Sequence, residues 1–260
     1  MLDERLVRAL HVQSLREEQL HAERAPHVLF QASTIGALLD GAYDGDVTFG
    51  ELAEQGDLGL GTLNALDGEM IALDRRFYRA DSSGAIREVD PGERTPFAVL
   101  TWFEPTVEVT VDRLLSHDEL EGAMDERLPA GTVACAVRID GAFELVHARS
   151  VPRQEPPYHP LAEVVGTQTV FDLVDVEGTM VGFRFPDYGE GLEVSGYHLH
   201  FITADRSRGG HVLEARPRQA TVHLDVSTDL HVELPPGVEL ESARASQQVH
   251  EALERAEHSG

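Results

Sequence analysis

Three histidines fall within fourteen residues of the chain, in the segment GYHLHFITADRSRGGHVLE at residues 196–214. His198 and His200 are one residue apart in an apolar run typical of a strand. Side chains alternate between the faces of a strand, so the two imidazoles should point the same way, about 7 Å apart. Three neutral imidazoles suit zinc or another borderline divalent ion and leave positions open for water or substrate. The segment predicts a metal site, the alternative being a set of hydrogen-bonded core histidines.

The third histidine, His211, poses a problem of register. A symmetric turn centred on Ser207 and Arg208 places it opposite Ala204, about 13 Å along the strand from His200. His211 therefore joins the other two only if the strands bend and bulge, or if it approaches from a crossing strand.

Two further places carry residues that could take part in chemistry. The glycine-rich stretch GLGTLNALDGEM contains Thr62 and Glu69. Its spacing is not that of a dinucleotide loop and no phosphate-binding lysine accompanies it, which argues against a nucleotide site. Taken alone, Glu69 is a turn carboxylate, and Arg149, just before a proline-rich loop, is a surface cation.

Composition limits the possible partners. The chain has 260 residues, of which 42% are hydrophobic, enough for a sizeable core. The net charge of −25 argues against binding to nucleic acid. No apolar run is long enough to span a bilayer and the N-terminal segment has no uninterrupted apolar stretch, so we expect a cytoplasmic protein without a membrane partner. The single cysteine, Cys135, is expected to be an inert core thiol.

The order of the patterns predicts a mixed α/β (α+β) fold, with two β-sheet subdomains packed together and a few short helices. Capping-box spacing at Thr48 and at Ser116 predicts helix starts. Residues 131–149 are expected to form a hairpin that turns at the Asp-Gly pair. The four prolines of VPRQEPPYHP place a boundary near residue 160. Residues 1–160 would be an N-terminal mixed-sheet subdomain with helices, and residues 161–260 a strand-rich metal-binding subdomain plus a tail helix.

Four separated segments together resemble one family. They are, in chain order, QASTIGALLDGAYDGDVTFGELAEQGDLGLGTLNALDGEM, RTPFAVLTWF, ARSVPRQEPPY and the histidine segment itself. In order and spacing they are similar to alpha-acetolactate decarboxylase, over about residues 28–240. The resemblance implies a zinc enzyme that converts (S)-2-acetolactate to (R)-acetoin and CO2.

The resemblance also implies roles for individual residues. The three histidines would hold Zn2+, and Thr62, Glu69 and Arg149 would match the family's site threonine, glutamate and arginine. A further site glutamate near the C-terminus matches Glu257 best, with Glu254 as the second choice. The C-terminal helical tail would then return to the site.

Other functions stay open at this point. A three-histidine hydrolase or non-haem iron oxygenase would use the same ligands, and iron rather than zinc would mark the latter. A non-catalytic small-molecule binding module would keep the fold but release no CO2. A homodimer is the candidate assembly.

Overall fold

The computed structural model describes residues 11–15, 26–186 and 193–234, with the backbone alone for residues 11–15. The strands are β1 (His11–Leu15), β2 (Val28–Ala32), β3 (Val47–Thr48), β4 (Leu58–Thr62), β5 (Glu69–Leu73), β6 (Arg76–Ala80), β7 (Ile86–Glu88), β8 (Arg94–Thr95), β9 (Ala98–Thr101), β10 (Val107–Val111), β11 (Ala134–Ser150), β12 (Thr169–Phe185), β13 (Gly196–Thr203), β14 (Gly209–Ser227) and β15 (Asp229–Glu233). The helices are α1 (Ile35–Leu39), α2 (Phe49–Leu52), α3 (His117–Asp125) and α4 (Leu161–Val164), with 3₁₀ turns at Asn64–Leu66 and Val165–Thr167. In this part of the chain, no helix combines the length and the hydropathy needed to cross a membrane.

Two sheets make up most of the fold. The eight-stranded sheet has the order β1-β15-β2-β9-β4-β5-β6-β7, and the five-stranded sheet has the order β10-β14-β11-β12-β13. β13 also pairs with β14, so the second sheet closes on itself at that end, while β3 and β8 form a small separate ribbon. The predicted fold class, two sheets with a few short helices, is confirmed. The predicted tail helix lies outside the described residues.

The sheets pack against each other through β4 and β5 of the first and β12 and β13 of the second. Leu60 and Ile71 from one sheet share a core cluster with Val181 and Ile202 from the other, and all four are fully buried. Burial of each such side chain contributes roughly 1.5–3 kcal/mol. This apolar layer fixes the distance between the two faces that carry the candidate site residues.

The short helices begin where side-chain caps satisfy their first backbone amides. Thr48 and Ser116 form the predicted capping boxes of α2 and α3 with Glu51 and Glu119. Thr34 caps α1 by accepting a hydrogen bond from the Ala37 amide at 3.1 Å. The cap fixes the first turn of α1, the helix that borders the cavity described below.

The expected hairpin at residues 131–149 was wrong, because β11 runs straight through it. β11 pairs along its length with β12 on one side and β14 on the other. Asp140 accepts hydrogen bonds from Arg138 at 2.7 Å and from Thr179 at 2.8 Å. A Cβ at Gly141 would lie 2.3 Å from the Gln219 carbonyl oxygen, so glycine here permits the close approach of β14.

Strands of both sheets lie on both sides of the predicted boundary near residue 160. β10 and β11 precede it and belong to the five-stranded sheet, whereas β15 follows it and belongs to the eight-stranded sheet. The division into subdomains at 1–160 and 161–260 stays a prediction about folding units, and the sheets themselves do not divide there.

Candidate metal centre and surrounding groups

The hairpin of β13 and β14 brings two of the three histidines face to face. His200 is the direct cross-strand partner of His211. The Thr203 amide donates to the Arg208 carbonyl at 2.9 Å, so residues 204–207 form the turn. The predicted register, with His211 opposite Ala204, was wrong, because the turn is centred two residues earlier.

Side-chain hydrogen bonds explain the position of this turn. The Asp205 carboxylate accepts from the Thr203 hydroxyl at 2.6 Å, the Ser207 amide at 3.0 Å and the Ser207 hydroxyl at 2.7 Å. An aspartate that bonds to the backbone two residues later is a recognised turn former. The signal was therefore present in the sequence as Asp-Arg-Ser.

The three imidazoles converge in the interior. Ring centroids lie 5.2 Å apart for His198 and His200, 5.0 Å for His198 and His211, and 5.4 Å for His200 and His211. One ligand nitrogen from each ring lies within 4.8 Å of the others, and all three residues are buried. Among the described residues, these three histidines form a group whose ligand atoms lie close enough together to share one metal ion.

His200 has the hydrogen bonding of a neutral metal ligand. Its Nδ1 lies 2.8 Å from the Met70 carbonyl oxygen and donates to it. Burial, followed by the neighbouring His198 and His211 rings, lowers the pKa of His200 well below its usual range. In the described structure, Nε2 is buried and has no hydrogen-bond partner. A lone pair so placed, next to two further imidazoles, fits a divalent cation.

Glu69 and Arg149 lie directly beside the imidazoles. An Arg149 Nη1 donates to Glu69 Oε1 at 3.4 Å, and Glu69 Oε2 lies 3.6 Å from His200 Nε2. The Glu69 and Arg149 side chains are 8% and 7% exposed. Arg149 in β11 is also the cross-strand partner of His211. His211 is the residue of β14 at which pairing with β13 gives way to pairing with β11. The structure thus brings together residues from both sheets.

Thr62 supports the turn that carries Glu69. The two residues are partners across β4 and β5, and the Thr62 hydroxyl donates to the Gly68 carbonyl at 2.8 Å. Gly68 has a φ of +89°, and a Cβ there would meet the Ala80 carbonyl oxygen at 2.2 Å. The turn therefore needs glycine at this position.

Glu193 is a site neighbour that sequence reasoning missed. Its side chain is 1% exposed, and Oε1 lies 3.5 Å from His198 Nδ1. The same oxygen accepts from the Val194 amide at 3.0 Å. In the sequence Glu193 is one acid among forty-six, and no spacing rule singled it out.

A small cavity of about 50 Å³ opens onto these groups. Thr62, Glu69, Arg149 and the three histidines line its polar side. The other side is apolar and is formed by Ile35, Leu38, Leu66, Phe97, Val151 and Leu161. This lining offers contacts to both a charged end and an alkyl end of a small molecule.

Two predicted residues cannot be placed. Glu257, and Glu254 as its alternative, lie outside the described residues. Their assignment to the site stays a prediction.

Comparison with known proteins identifies the family of the chain. The family model described as alpha-acetolactate decarboxylase matches residues 29–246. A Methylococcus capsulatus protein named alpha-acetolactate decarboxylase is 46% identical over 232 residues, 89% of each chain. One of the same name from Klebsiella aerogenes is 42% identical and covers 82% of each chain. The crystal structure of alpha-acetolactate decarboxylase from Bacillus subtilis strain 168 superposes with a TM-score of 0.85 at 39% identity, over 89% of this chain and 100% of that one. On these grounds the chain belongs to the alpha-acetolactate decarboxylase family.

Proposed function

We propose that this chain is a cytoplasmic zinc enzyme that decarboxylates (S)-2-acetolactate to (R)-acetoin and CO2. Family membership makes it an enzyme, a carboxy-lyase. The observation that carries the proposal is the convergence of three buried imidazoles next to a buried glutamate and arginine, in a cavity with one polar and one apolar side.

The substrate defines what the site has to do. 2-Acetolactate carries a carboxylate beta to a ketone, so loss of CO2 leaves an electron pair that spreads into an enediolate. Held by His198, His200 and His211, zinc would supply a Lewis acid that stabilises this negative charge, which would remove the need for a thiamine or Schiff-base electron sink.

Arg149 supplies the positive charge that an anionic substrate needs in a protein of net charge −25. Its guanidinium is buried at the cavity wall, where a charge-assisted hydrogen bond to a carboxylate or an enediolate is stronger than in water. Arg149 would therefore orient the substrate and hold the negative charge that develops.

Glu69 is the proposed proton donor among the described residues. When protonated, its Oε2 would deliver the proton to the carbon that loses CO2, and water would then restore the acid. The carboxyl group approaches from one side only, because the β4–β5 turn that Thr62 supports fixes its position. Delivery to one face would set the handedness of acetoin. Glu257 is the alternative donor.

The apolar side of the cavity suits the rest of the substrate. Its leucine, isoleucine, valine and phenylalanine side chains offer contacts for the two methyl groups of 2-acetolactate. They also exclude water from the enediolate, which keeps Glu69 the nearest source of a proton.

The test is a reaction of the purified protein with racemic 2-acetolactate, followed by CO2 release and chiral chromatography of acetoin. We expect about one zinc per chain, consumption of the S enantiomer, (R)-acetoin as product, and loss of activity on chelation that zinc restores. His200→Ala should abolish turnover. His147→Ala is the matched control, since His147 lies in the same sheet but is partly exposed and bonds to Asp172.

Three results would contradict the proposal. The first is full activity after complete removal of metal. The second is iron rather than zinc, together with oxygen consumption. The third is substrate binding without CO2 release.

A further inference from the structure

We propose that Glu193 is a positioning residue of the metal centre: its carboxylate accepts the Nδ1 proton of His198, fixes that ring, and turns Nε2 toward the ion. The proposal rests on the proposed function, because it presupposes that a divalent ion binds at the three histidines. Nothing about Glu193 was expected from the sequence or implied by the family resemblance.

The first support is the burial of the acid. The Glu193 side chain is 1% exposed, and the His198 side chain next to it is 8% exposed. Glutamate is almost never fully buried unless it is paired, because removing a carboxylate from water is costly. A carboxylate retained at this depth needs polar partners, and His198 Nδ1 at 3.5 Å is one of them.

The second support is the geometry around the carboxylate. Oε1 also accepts from the Val194 amide at 3.0 Å, which fixes the acid relative to the backbone just before β13. The acid is therefore anchored independently of the histidine that it contacts. An anchored acceptor can restrain an imidazole, whereas an acceptor on a free side chain would move with the ring.

The third support is the parallel with His200. That ring donates from Nδ1 to the Met70 carbonyl, which leaves Nε2 for an ion. His198 has the Glu193 carboxylate at the corresponding nitrogen. Outer acceptors of this kind fix the tautomer of metal-bound histidines and make the ligand nitrogen a stronger electron donor.

The two acceptors differ in charge, and the difference has a consequence for ion binding. The Met70 carbonyl is neutral, whereas Glu193 adds a negative charge next to ligands that are themselves neutral. With Glu69 and Arg149, the charged groups described around the histidines are two carboxylates and one guanidinium. A divalent cation would thus enter a site of net negative fixed charge, which favours binding.

The experiment measures zinc affinity of the full chain, stripped of metal, by competition with a chromophoric chelator. Glu193→Gln keeps an acceptor but removes the charge, and Glu193→Met keeps the volume but removes both. We expect a weakening of zinc binding of about 10-fold for Glu193→Gln and up to about 100-fold for Glu193→Met, the range known for outer-shell changes. Glu233→Gln is the matched control, since Glu233 is also buried, at 6% exposure, but lies in β15 of the other sheet.

A second readout separates positioning from a merely structural role. Nitrogen-15 NMR of the zinc-loaded protein should show the His198 proton on Nδ1 in the wild type and a changed Nδ1 signal in Glu193→Gln. If Glu193 only stabilises the fold, both variants lower the urea midpoint of the metal-free protein but bind zinc as tightly as the wild type does. That result overturns the proposal. If Glu193→Met fails to fold, the zinc affinity and the NMR spectrum of Glu193→Gln decide between the two roles.

The outcome also distinguishes this proposal from the proposed function. A wild-type chain that binds no divalent ion overturns both. A wild-type chain that binds zinc and makes acetoin, with both variants unchanged in affinity and NMR spectrum, overturns this proposal alone.

Discussion

Glu69 and Arg149 should be strongly coupled in the stability of the metal-free protein. Unit charges 3.4 Å apart attract by about 5 kcal/mol at an effective dielectric constant of ~20. Removing one partner of a buried pair leaves the other charge uncompensated, and such changes cost about 3–5 kcal/mol. We expect Glu69→Gln and Arg149→Met each to lower the free energy of unfolding by about 3 kcal/mol. The double variant should lose little more than either single variant, which corresponds to a coupling of about 2–4 kcal/mol.

Urea unfolding in excess chelator, followed by circular dichroism, measures this double-mutant cycle. The matched control is the pair of Arg87 and Glu93, whose atoms are closer, at 2.7 Å, but whose side chains are 40% and 33% exposed. Exposed pairs contribute about 0.2–1 kcal/mol. A coupling for Glu69 and Arg149 no larger than that of the exposed pair would refute the argument that burial sets the strength of the interaction.

Three further expectations concern other residues. Arg149→Lys should lower kcat/KM about tenfold or more, about 1.4 kcal/mol of transition-state stabilisation, because a planar two-point donor becomes a point charge; wild-type kinetics would place Arg149 outside the reaction. Burial raises the pKa of Cys135 to about 12, so only about one thiol in 10⁴ is ionised at pH 8; a thiol reagent should label it in urea but not in the native protein, and rapid native labelling would contradict this. Glu257→Gln should lower turnover about 10²-fold with zinc retained if the tail supplies the acid, whereas unchanged turnover would leave Glu69 as the donor.

Local patterns predicted some of the local geometry at the candidate site. The one-residue spacing of His198 and His200 sufficed to place both rings on one face, because alternation along a strand depends on nothing else. The capping boxes at Thr48 and Ser116 could also be predicted from the sequence, because all their partners lie within one turn of helix. The resemblance then pointed to Glu69 and Arg149, which the structure places in contact from separate sheets.

One error arose where a distant partner decides the local structure. The Asp-Gly pair at Asp140 has the composition of a turn, yet β14 packs against Gly141 and keeps the chain extended. The turn after β13 was misplaced for a local reason: Asp205 accepts hydrogen bonds from Thr203 and Ser207, which centres the turn two residues before the symmetric position. Nothing in the sequence pointed to two hydrogen-bond partners of the histidines. One is a backbone carbonyl at Met70, which the residue type does not reveal, and the other is Glu193.

The four-residue turn between β13 and β14 also bears on the order in which the site is assembled. His200 and His211 are eleven positions apart, and a loop of about ten residues closes in roughly 10–100 ns. Glu69 and Arg149 come from distant parts of the chain, and their arrival requires the two sheets to dock, which is a slower event because longer loops must close. In the finished fold the histidines are buried, but they line a cavity through which an ion can still reach them. We therefore expect the hairpin to bring the histidine ligands together first, with the glutamate and the arginine added when the sheets dock.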